Sequence, residues 1–168
     1  NMMHSLCLAI GLAIASVAAA PAALAQGFMP ASEVVKILPG VWAMESSSPK
    51  AKLEKLCSES AMVIRILKDE TGALLYEAEH IGSEVAGIPK EDLFDRSRIW
   101  MVLPDRSGRP RAIRIQYDGE TRLDAGGKPV VWDLLMPDRD TFYWHRADWP
   151  AGSVTAPSRR CTKADLVG

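Results

Sequence analysis

Between residues 60 and 146 the chain is written in short segments whose apolar residues recur at every second position, each closed by a turn signal. Met62, Ile64 and Ile66 alternate with Val63, Arg65 and Leu67; Asp69-Glu70-Thr71-Gly72 then turns the chain into an apolar-rich run from Ala73 to Glu79. That pattern predicts a β-hairpin. Ile99 to Leu103 is apolar, Pro104-Asp105-Arg106-Ser107-Gly108 is a turn, and Ile113, Ile115 and Tyr117 alternate within 111–117. A third pair follows: Val130, Trp132, Leu134 and Met136 at period two, the turn 137–140, and Thr141 to Arg146. With Val41 to Met44 in front and Ser158 to Thr162 behind, the total is about eight strands. Helix signals are confined to Ser32–Leu38, where Ser32 is a capping residue type and Val34, Ile37 and Leu38 share a face, and to Ser48-Pro49 through Leu56. The expected class is all-β, an antiparallel up-and-down barrel of about eight strands with a short N-terminal helix.

The first 25 residues carry a different signal. Leu6 to Ala20 is an unbroken uncharged run, followed by Pro21 and the small-residue triplet Ala23-Leu24-Ala25. Residues 1–25 are therefore expected to be a signal peptide and 26–168 a single barrel domain in the periplasm or outside the cell. The run is too short to span a bilayer comfortably, so no transmembrane segment is expected after cleavage. Cys7 leaves with the leader. An oxidising compartment turns Cys57 and Cys161 from potential metal ligands into an expected disulfide. Cys57 precedes the second strand and Cys161 lies in the last, and closure of a barrel brings its first and last strands together.

Charge excludes two partner classes. The chain has 20 Lys and Arg against 21 Asp and Glu, a formal charge of −1. A nucleic-acid binder carries a basic excess, and no polybasic block offers a hold on an anionic membrane surface. Enzyme signatures are also lacking: the sequence has no Gly-x-Ser-x-Gly elbow, phosphate loop or His-Glu-x-x-His element. The mature chain keeps only His80 and His145, at a spacing that fits no compact metal motif. Neither an enzyme nor a metal or cofactor site is expected.

Loop lengths suggest where binding would occur. With strands running up and down, turns 69–72, 104–108 and 137–140 fall at one end, with Arg106, Arg109 and Arg139 on or beside them as a solvated face. The long connections 45–59, 80–97, 118–128 and 147–157 fall at the other. One end is closed and one open, and a barrel of about eight strands either fills with side chains or holds one small ligand. If Ile113, Ile115 and Tyr117 face inward, period two turns Trp132, Met136, Phe142 and Trp144 inward too. They are candidates for an apolar pocket, with His80 and His145 near its rim. Phe94 and Trp149, in the long loops, are candidates for a surface that contacts a protein partner.

Gly40-Val41-Trp42, on the first strand after a short helix, and Arg159 or Arg160 on the last strand resemble a lipocalin (calycin) barrel. The first triplet is similar to the family's Gly-x-Trp opening, and family members carry a basic residue packed over that tryptophan. The resemblance implies a structural role for Gly40, Trp42 and one of the two arginines, and a ligand mouth ringed by alternate loops. The expected function is exported binding of a small apolar or amphipathic ligand. The alternative is a periplasmic interaction module, like the small barrels that inhibit proteases or lysozymes, acting through its loops.

Overall fold

The computed structural model describes residues 27–45, 52–101 and 111–163. The leader 1–25 and the turn 104–108, with Arg106 and Arg109, lie outside them. Eight strands follow one another: β1 (Gly40–Met44), β2 (Ala61–Lys68), β3 (Leu74–Ile81), β4 (Phe94–Met101), β5 (Ile113–Ile115), β6 (Trp132–Asp138), β7 (Thr141–Arg146) and β8 (Ser158–Arg160). Every neighbour is antiparallel, and β1 pairs with β8 to close the barrel. None of the helices among the described residues is long and apolar enough to cross a membrane.

The period-two segments do what alternation requires, placing one set of side chains inside. Trp42, Ile64, Tyr76, Ile115, Met136 and Phe142 are each no more than 1% exposed. They fill the lower and middle barrel with close ring contacts such as Trp42 to Phe142 at 4.8 Å. The closed end is plugged by helix α1 (Ala31–Ile37), which buries Ala31 and Val34 against this core. The Met29 amide donates to the Met136 carbonyl (2.8 Å) and Trp42 Nε1 donates to the Leu38 carbonyl (2.8 Å), tying the segment to the barrel floor.

Arg160 is the basic residue over the tryptophan. Its guanidinium carbon lies 4.3 Å from the Trp42 ring centroid, and it donates to the carbonyls of Ile37 (2.6 Å), Pro39 (3.0 Å) and Arg139 (2.7 Å). One side chain thus joins α1, the start of β1 and the β6–β7 turn. Gly40 makes room for it: with φ at +150°, a Cβ there would stand 2.5 Å from Arg160 Nη1. Arg159 points the other way, to Glu45 (2.8 Å) and Thr141 (3.0 Å).

Several boundaries differ from the sequence reading. Ser32 does not cap α1; the helix starts one residue earlier behind Pro30, whose extended backbone (ψ 142°) turns the chain and whose carbonyl receives the Glu33 and Val34 amides. β4 begins at Phe94, not Ile99, so the 80–97 connection shrinks to 82–93 with 3-10 turns at Ser83–Val85 and Lys90–Leu93. Past Phe94 its first half is polar on both faces and so lacks an apolar alternation: outward Arg96 pairs with Glu77 (2.8 Å), while Asp95 and Ser97 alternate with it. β6 starts at Trp132 and runs through a bulge to Asp138, leaving Arg139-Asp140 as the turn. The second helix, α2 (Leu53–Glu59), falls later than Ser48–Leu56, a segment that is partly outside the described residues.

Cys57 and Cys161 are bonded. Cys57 sits on α2, which lies outside the barrel against Ala43 of β1 and Ala61 of β2, with Val41, Leu53, Leu56 and Ile81 around it. Cys161 follows β8 directly and its amide donates to the Val41 carbonyl (2.8 Å). The bond therefore reaches from the outer helix across β1 to the last strand.

Candidate functional site

A cavity of about 490 Å³ opens at the end opposite α1. Its wall comes from strand ends that alternation turns inward: Met44 closing β1, Asp95 opening β4, Tyr117 just past β5, Trp132 opening β6 and Trp144 late in β7. The connection Asp118 to Arg122 and Thr155 complete the lining. Thr155 is held in place because its amide donates to the Trp144 carbonyl (2.8 Å) and its hydroxyl receives the Trp144 amide (3.1 Å).

The floor is aromatic. Tyr117 and Trp132 each lie 6.3 Å from Trp144, edge to face, and Tyr76 sits below Trp144 at 6.0 Å. Burial pushes the Tyr76 and Tyr117 phenols up from the usual range, and the negative charge of Asp95 adds to both shifts. Both therefore act as neutral hydrogen-bonding groups at any physiological pH.

Charged groups stand above that floor. Glu120 folds in until its side chain is only 3% exposed, and its two oxygens receive Arg122 Nε (2.7 Å) and Nη2 (2.8 Å). The Arg122 hydrogen bonds hold the Glu120 carboxyl below its ordinary pKa, and that carboxylate in turn raises Arg122. The guanidinium lies 5.2 Å from the Trp132 ring centroid. Trp132 itself is 9% exposed, and its buried indole N–H lies toward the Glu120 carboxylate and adds to the lowering of that carboxyl. Asp95 Oδ2 is 2.6 Å from His80 Nε2; this hydrogen bond raises the imidazole pKa against the opposing effect of burial.

Of the residues chosen from sequence, Tyr117, Trp132 and Trp144 converge on the cavity. His80 stands behind its rim through Asp95. Met136 and Phe142 lie deeper, in the packed floor, fully buried. His145 is turned from the cavity: its Nδ1 is 2.6 Å from the Ser153 carbonyl and its ring is 6.5 Å from Trp149. Phe94 and Trp149 are separated. Phe94 lies beneath Arg96, with Arg65, Glu79 and Lys90 around it, whereas Trp149 packs 5.5 Å from Trp132. Sequence reading missed Asp95, Glu120 and Arg122. The Gly119-Glu120-x-Arg122 spacing within the 118–128 mouth connection was the available signal, since a local acid–base pair there can fold inward.

No protein-family model, curated protein or solved structure matches the chain.

Proposed function

We propose that this protein is an exported carrier that holds one small amphipathic molecule in the mouth of a lipocalin-like barrel. The observation that carries this reading is the cavity of about 490 Å³ over Tyr117, Trp132 and Trp144, a size within the range of about 300–1,000 Å³ typical of small-molecule sites. An aromatic floor beneath a ring of charged and hydroxyl groups suits a ligand with an apolar body and a polar head. The stack of Arg160 on Trp42 at the plugged end supports the kinship with lipocalins, and the Cys57–Cys161 bond is in keeping with an oxidising compartment. The role is binding, without turnover of the ligand.

Trp132 and Trp144 make the test direct, because an occupant would sit against both indoles. Titration with a series of alkyl amphiphiles should change tryptophan fluorescence saturably at one equivalent, with matching heat in calorimetry. A flat response from both methods across the series would refute the carrier reading. Separately, N-terminal sequencing of protein recovered from the periplasm should begin near Gln26.

A further inference from the structure

The mouth already holds one cation, and the way it does so indicates what else it accepts. The Arg122 guanidinium is gripped by the buried Glu120 carboxylate and lies over the Trp132 ring. Carboxylate below and aromatic face beside are the two groups that bind organic cations best. The remaining lining repeats the combination without a second guanidinium: Asp95 and Asp118 stand at the rim, with Tyr117 and Trp144 beneath. Asp95, Asp118 and Glu120 outnumber Arg122, and the balance stays negative even when His80 is protonated beside Asp95. The influence of Asp95 is felt across the opening, at Tyr117, Tyr76 and Arg122.

We infer that the occupant is a cationic amphiphile, a molecule with an ammonium head and an apolar body, and that the mouth discriminates against carboxylate amphiphiles of the same length. This rests on the carrier reading and adds the sign of charge to it. The head would lie between Asp95 and Asp118 over Tyr117, and the body would run down onto Trp132 and Trp144.

Three probes of one chain length separate the outcomes: decyltrimethylammonium, decanol and decanoate, each below its micelle-forming concentration, titrated against the intact disulfide-bonded protein. The cation should bind at least about tenfold tighter than the alcohol, and decanoate should be weakest. Raising salt should weaken the cation and leave the alcohol unchanged. The Asp95→Asn/Asp118→Asn protein, its melting checked, should bring cation and alcohol within about threefold of each other; Asp118→Asn alone, at an exposed position, should give part of that change. If the alcohol or decanoate binds as tightly as the cation, the charge assignment is wrong while the carrier reading survives. If none of the three binds, both fall.

Discussion

Arg160 illustrates how one side chain can decide the geometry of a barrel end. It stacks on Trp42 and donates to carbonyls from three separate segments, so removing it strands those acceptors as well as the ring. Arg160→Ala should lower stability by about 2–4 kcal/mol in urea unfolding. Arg160→Lys should recover little of that, because a single ammonium cannot reproduce the planar fork that spans these acceptors. At the open end the sensitive residue is His80. Its folded-state pKa is raised above the ordinary value of 6.5 by the hydrogen bond to Asp95. The protonated form is therefore favoured in the fold: its stabilisation is complete below the unfolded pKa and is lost as pH rises through the folded one. Because the pair is half exposed, the slope should be shallow. It should vanish in His80→Gln, and NMR titration of the His80 ring should give a midpoint above that of a free histidine. Both residues were visible in the sequence, but for different reasons. Arg160 stood out as a basic residue on the last strand, one of two in a row. His80 was noticed only for its scarcity; its partner Asp95 was hidden in a stretch without apolar alternation.

Strand legibility followed the same physics. β2, β3, β6 and β7 each present one face to a filled interior, so their apolar residues keep a period of two and can be read directly. The first half of β4 could not be read, because its outward Arg96 is balanced by Glu77 on the neighbouring strand rather than by its own sequence. The cavity was partly readable for that reason too: Tyr117, Trp132 and Trp144 fall on the alternation, whereas Glu120 and Arg122 reach the site only through the fold of a connection. Helix α2 is the element most dependent on a covalent tie. Seven residues long, it would be marginal alone, and it rests on a small apolar patch secured by Cys57. Replacing both cysteines with serine should lower stability by about 2–5 kcal/mol, the bond closing a span of 104 residues. Hydrogen exchange should locate the early loss of protection in 53–59 rather than in β2 or β3.

At the scale of the molecule, the barrel is an unevenly stitched ring. β2 and β3 are matched at eight positions, while β8 meets β1 at three and β7 at two. A ring opens where it is stitched least, and here that is at β8. While the ring is whole, no strand has a free side. Once β8 lifts away, β1 and β7 each present unpaired backbone groups, the template that recruits strands from other chains. Seen this way, the Cys57–Cys161 bond protects the protein from self-association as well as from unfolding, since it keeps the lifting strand beside the place it left. Reduced protein held in mild denaturant should accumulate dimers and larger species in size-exclusion chromatography at concentrations where the oxidised form stays monodisperse. Oxidation of the Cys57–Cys161 pair would then also be what keeps neighbouring copies of the chain from joining their sheets.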